Sequence, residues 1–262
     1  MAIYLEAICA KIGRADRELH ALRTDMENFC ERQRVEQKRI TRKNPDGKSA
    51  DIVEAFLADS EKTPIEWSVR IGEIVYNLRS SLDHLVWQLV VDNGKNPSRK
   101  NAFPIFSEES DWENMTKDKL SGVRYEIKKR IRDLQPFGGG LGLPFNVNVF
   151  GQLDYLCNVD KHRHLNLVCT TLRGLKPEAH SGEALDAFEE KRPISRDAFQ
   201  VGIKFSREKS SPVAGFVVSD ILEECVDAVR GAVDHIVGRH LYRNLARRQS
   251  RRFWRGSSVG SD

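Results

Sequence analysis

The amino-acid sequence predicts a mainly α protein, a helical bundle carrying a small antiparallel β element. Three observations lead there. Apolar residues recur at helical spacing near both ends of the chain and in its middle. The period changes to two only in short segments. Turn signals, Asn44-Pro45-Asp46-Gly47 among them, stand where the period changes. A chain of 262 residues is long enough to bury a sizeable core. With 40% hydrophobic and 31% charged residues it reads as an ordinary globular protein, and a net charge of +4 excludes a global polycation.

Each element has its own signal. Over residues 2–33, Leu5, Ile8, Ile12, Leu19, Leu22 and Met26 form a helical stripe, with Arg14, Asp16, Arg17 and Glu18 largely off it. Val35–Thr41 and Asp51–Ala58 contain β-branched residues in partial alternation on either side of Pro-Asp-Gly, which predicts a β-hairpin within 34–58. From Thr63 to Val91 the helical signal is strongest. Thr63 is the expected N-cap, Pro64 suits the first turn, Glu66 completes a capping box, and Asn93-Gly94 stops the helix. Its apolar stripe is Ile71, Ile74, Val75, Leu78, Leu82, Leu85, Val86 and Leu89.

Phe103-Pro104-Ile105-Phe106 is an apolar plug between polar loops. Short helices are expected over 110–118 and 121–134, then a glycine-rich loop over 138–142 that lacks the spacing of a phosphate-binding fingerprint. A helix over 146–160 leads into a strand over 165–172. Phe199, Val201, Ile203 and Phe205 alternate as a half-buried strand. This strand, the 165–172 strand and the hairpin are expected to share one small sheet. Ser219 is the expected cap of a last helix running to Tyr242. The organisation that follows is one domain over 1–245 and a basic, disordered tail over 246–262.

An odd count of five cysteines, none in a CxxC pair, points to reduced thiols and a cytoplasmic location rather than a disulfide framework. No basic leader with an apolar run opens the chain, and no uncharged apolar stretch is long enough to span a bilayer.

Two segments carry candidate chemistry. On the central helix lie Asn77, Arg79, Asp83 and His84; downstream lie Asp160, Lys161, His162 and Arg163. At about 100° and 1.5 Å per residue, Arg79 and His84 stand roughly 140° apart around the axis and about 7.5 Å apart along it. They can converge on a phosphodiester lying over the helix, or across a two-fold axis with a second copy. The same residues also have architectural readings. Asp83 can pair with Arg79 at i, i+4, His84 can be a satisfied core histidine, and Asn77 can bond between helices. The Asp160–His164 run can be a solvated helix terminus. Its spacing does not suit a metal, and no cofactor is expected. Trp67, Trp87 and Trp112 read as core or interface aromatics, and Cys157 as a small buried residue.

Arg79-x4-His84 resembles the R-x4-6-H motif of HEPN-type helical proteins, many of them metal-independent ribonucleases. That resemblance implies a homodimer acting on RNA, with His84 as general acid or base at the ribose 2′-hydroxyl. Arg79 would hold the scissile phosphate, and Asn77, Asp83, Asp160, Lys161, His162 and Arg163 would support them. More broadly, Asn77-Leu78-Arg79-Ser80-Ser81-Leu82-Asp83-His84, the Phe103–Phe106 plug, Leu134-Gln135-Pro136-Phe137 and Asn158-Val159-Asp160-Lys161-His162-Arg163 together resemble a family of uncharacterised bacterial proteins. Tyr76 departs from it, because that family has histidine there. The alternative function is a non-catalytic helical interaction protein in which the same polar residues form a buried network.

Overall fold

Helix α1 (Glu6–Arg32) forms on the predicted stripe and buries Ile8, Ile12, Ala15, Leu19, Leu22, Met26 and Phe29. The computed structural model describes residues 5–43, 49–58, 61–138, 148–175, 199–207 and 211–238. After α1 come β1 (Arg34–Lys43), β2 (Ser49–Ala58), α2 (Ile65–Asp92), α3 (Glu109–Lys119) and α4 (Tyr125–Asp133). Then follow α5 (Val149–His162), β3 (Leu167–Leu175), β4 (Phe199–Phe205) and α6 (Val218–Val237). The fold is mainly α with small antiparallel β elements, as the periodicity predicts.

Helix α2 is the centre of the bundle and packs on α1, α5 and α6. Ile71, Ile74, Val75, Leu78, Leu82, Leu85 and Val86 are all fully buried. Charged staples tie the helices together at their rims. Arg70 of α2 reaches Glu18 and Asp25 of α1, each at 2.5 Å. Arg230 of α6 reaches Asp16 of α1 at 2.6 Å.

Strands β1 and β2 pair from Arg34↔Ala58 to Lys43↔Ser49, so the predicted hairpin forms; its turn and residues 139–142 of the glycine-rich loop lie outside the described residues. Strands β3 and β4 pair from Leu167↔Phe205 to Leu175↔Phe199, with an irregularity after Thr171. The expectation of one shared sheet is corrected: among the described residues the strands form two separate two-stranded sheets. The Leu167 carbonyl accepts a bond from the Thr63 hydroxyl (3.2 Å), and Thr171 Oγ1 donates to the Ala55 carbonyl (2.8 Å), so β3 meets its surroundings through side-chain bonds rather than a third ladder.

That use of Thr63 also corrects the expected capping box. Pro64 occupies the N-cap, and no side chain caps α2. At α6 the N-cap is Val217 rather than Ser219. The described helix ends at Val237, where Gly238 takes φ 103°, a backbone state that suits glycine and leaves the helical path; the expected extension to Tyr242 lies outside the described residues.

The Phe103–Phe106 plug enters the core, with Phe103 fully buried. Its backbone must find partners there, since an unpaired buried peptide group costs about 1–3 kcal/mol. Gln135, itself fully buried, supplies them. Its Nε2 donates to the carbonyls of Pro104 (2.9 Å) and Ile131 (3.1 Å), and its Oε1 accepts from the Phe106 N–H (3.1 Å). Replacing Gln135 with Leu is expected to cost about 3 kcal/mol in urea denaturation, since the plug's peptide groups then lose their partners. A loss below about 0.5 kcal/mol would mean that the glutamine does not hold the plug.

Candidate functional site

One turn of α2 carries both charged groups that face the plug. Arg79 Nη1 donates to Asp83 Oδ1 at 2.7 Å, the expected i, i+4 pair. Arg79 Nη2 donates to the Phe103 carbonyl at 2.8 Å, and the Phe103 N–H donates to Asp83 Oδ1 at 2.8 Å. Arg79 Nε also lies 3.6 Å from Asp154 Oδ1 on α5. Only 16% of the Arg79 side chain is exposed. The guanidinium therefore faces two carboxylates and a carbonyl inside the protein. A phosphate arriving there would have to displace groups that already neutralise its charge.

His84 stands elsewhere. It is exposed and makes no hydrogen bond or ion pair among the described residues, which corrects the reading of a satisfied core histidine. Asn77 donates to the Glu73 carbonyl of its own helix (2.8 Å) rather than bonding between helices. Ser81, from the same flank, is fully buried and donates to the Leu78 carbonyl at 2.6 Å.

The downstream cluster closes α5. Asn148 caps the start of that helix, accepting from the N–H groups of Phe150 and Gly151. Lys161, His162 and Arg163 are exposed at its end, with no side-chain partner among the described residues. Cationic residues there complement the negative end of the helix dipole. Asp160 behaves differently. Although the residue is exposed overall, its carboxylate rests on the backbone of α2 at Gly72, where an added Cβ would lie 2.1 Å from Oδ1. Glycine permits that approach. Loss of solvent there raises the Asp160 pKa, and the nearby His164 opposes the shift.

These contacts set the relation between the clusters. Asp160 sits at Gly72 and Asp154 at Arg79, so α5 runs antiparallel to α2. Along α2, Arg79 is about 10 Å and His84 about 18 Å beyond Gly72. Asp154, Asp83 and Arg79 come together, whereas His84 and the Asp160–Arg163 group do not join them in one centre.

Other candidates resolve simply. Trp67 is buried edge-on against Phe29 (5.1 Å between centroids), Trp112 meets Phe137 at a tilt (6.1 Å), and Trp87 is exposed. Burial raises the Cys157 thiol pKa despite Lys161 and Arg79, and pushes Cys9 to about 11 and Cys225 to about 12. None of the three is primed as a nucleophile. No group of three or more possible metal ligands occurs among the described residues. No helix among them is long and apolar enough to cross a membrane. Nothing local in the sequence marks the roles of Asp154 and Gln135, which bond Arg79 and the plug, both remote in sequence. Nor does anything local mark an open cleft of about 410 Å³ between the start of α2 and β3, lined in part by Lys62, Ser68, His164 and Cys169.

No family model, curated protein or solved structure matches this chain.

The Asp160–Gly72 contact makes two expectations. Gly72→Ala should gain up to about 1 kcal/mol of helix propensity only where the carboxylate is gone. It should therefore be more favourable in an Asp160→Ala background than in the wild type by roughly 1 kcal/mol in a double-mutant cycle, and additivity would deny the contact. The raised Asp160 pKa means that the folded state binds this proton more tightly. Its stabilising contribution is present below the ordinary aspartate value and is lost as pH rises through the folded-state pKa. Asp160→Asn should flatten that part of the stability–pH curve, and an unchanged slope would contradict the assignment.

Proposed function

We propose that this protein is a non-catalytic helical interaction protein, in which the polar residues of α2 form an internal network that braces the helix while its outer face docks a protein partner. The observation that carries this reading is the commitment of Arg79 to Asp83, Asp154 and the Phe103 carbonyl within one protomer. A guanidinium so placed organises structure. The outer face of α2 supports the docking part, since Ile65, Val69, Tyr76, Trp87 and Val91 are all at least 37% exposed. Apolar residues gathered on one exposed helix face mark interaction sites more often than chance decoration does.

A second reading has one specific observation in its favour. His84 is open to solvent and unpartnered among the described residues, as a general acid or base acting on RNA would need to be. Among the described residues no group orients its ring, and the arginine meant to serve it is occupied. The HEPN-like ribonuclease therefore ranks second.

Two measurements on the same variants separate the readings. The interaction protein is expected to leave single-stranded RNA intact in EDTA. Arg79→Ala should lower stability by about 2–3 kcal/mol, because it strands Asp83 and the Phe103 carbonyl, while His84→Ala stays within about 0.5 kcal/mol. EDTA-resistant cleavage that disappears in a stably folded His84→Ala variant would establish the ribonuclease instead.

A further inference from the structure

Two side-chain bonds hold the walls of the cleft between the start of α2 and β3. The Thr63 hydroxyl donates to the Leu167 carbonyl (3.2 Å), and the Leu165 N–H donates to Ser68 Oγ (2.9 Å). The space between the walls, about 410 Å³, is in the range of small-molecule sites.

The polar lining has one chemical character. Ser68 lines the cleft although only 3% of the residue is exposed. Its oxygen accepts from Leu165, yet nothing among the described residues accepts the hydroxyl's own proton. Thr63, the residue expected to cap α2, gives its hydroxyl to Leu167, and no side chain caps the helix. The first N–H groups of α2 therefore keep their donor capacity where Pro64 and Ile65 line the cleft. Lys62 and His164 line it too, both exposed and neither side chain hydrogen-bonded among the described residues. A buried hydroxyl proton, helix N–H groups, an ammonium and an imidazole able to donate together call for an acceptor that carries negative charge. Apolar surface stands beside them: Ile65 is 55% exposed and Val168 42%, and both line the cleft. Glu61 lines it as well, so the cationic surplus is small and suits one negative charge better than two.

We propose that this cleft binds a small organic carboxylate with an apolar chain, its oxygens on Ser68 and Lys62 at the start of α2 and its chain along Ile65 and Val168. Ser68 lies about 16 Å along α2 from Arg79, so the site is separate from the Arg79 network and stands independently of the docking reading.

Isothermal titration calorimetry of the full chain tests this with octanoate as the probe. Octanamide, of the same length without the charge, is the control. Octanoate is expected to bind one to one with a dissociation constant of roughly 0.1–1 mM, as a small ligand in an open cleft should. Octanamide should bind at least about ten-fold more weakly. Lys62→Gln, an exposed change, should weaken octanoate about five-fold. Ser68→Ala should weaken it about ten-fold, but it also strips the Leu165 N–H of its acceptor. Val168→Glu therefore serves as a second variant: a carboxylate at this exposed position should abolish octanoate binding without moving the thermal midpoint. Tyr125→Glu, an exposed change on α4, should leave binding intact. No saturable heat up to about 10 mM octanoate overturns the proposal. Binding indifferent to both Lys62→Gln and Val168→Glu overturns it too, since the carboxylate would then sit elsewhere. Equal affinity for octanamide overturns the anionic character of the site, and octyl phosphate binding more tightly than octanoate overturns the choice of a single charge.

Discussion

The contact on which the rest of the structure depends is the clamp of Arg79 and Asp83 on the Phe103 peptide. A segment of backbone cannot enter an apolar core unless its N–H and C=O groups are satisfied there. Helix α2 provides both partners from one turn: Asp83 accepts from the N–H and Arg79 donates to the carbonyl, with the two side chains bonded to each other. Gln135 does the same for Pro104 and Phe106. Phe103 then stacks near Phe150 of α5, and the charge of Arg79 extends to Asp154 on that helix. The polar groups are thus the condition for the apolar packing around them.

This arrangement gives a physical account of why an arginine, an aspartate and a glutamine stand among fully buried leucines. It also explains why phosphate binding is a poor reading of Arg79. A charge surrounded by two carboxylates and a carbonyl is already compensated, and removing one member leaves the others unpaired. The exposed residues carry a different message. His84, Tyr76 and Trp87 sit on the solvent side of the same helix, where no such network holds them. Helix α2 therefore turns its bonded polar groups toward the plug and leaves large apolar side chains exposed on its other face.

Most of the fold was legible in the sequence, because long stripes such as Ile71–Leu89 admit only a helix and Phe199–Phe205 only a strand. Errors cluster where a residue had a tertiary partner. Thr63 had the chemistry of a cap but bonds β3, which meets the segment before α2 and the hairpin through hydroxyls rather than through a shared ladder. The candidate site was legible only in part. The Arg79–Asp83 pair follows from spacing, yet its target, a peptide group twenty residues onward, leaves no local trace. Asp160 likewise shows no sign in the sequence that it rests on Gly72, since that contact depends on where α5 crosses α2.

The most direct measure of the clamp is amide hydrogen exchange at Phe103 and Phe106. If Arg79, Asp83 and Gln135 hold the plug, both amides should exchange only with global unfolding, as slowly as those of α2, and Arg79→Met should selectively release Phe103. Exchange at Phe103 as fast as in the exposed loop over 95–99 would show that the clamp does not exist and would remove the architectural account of Arg79.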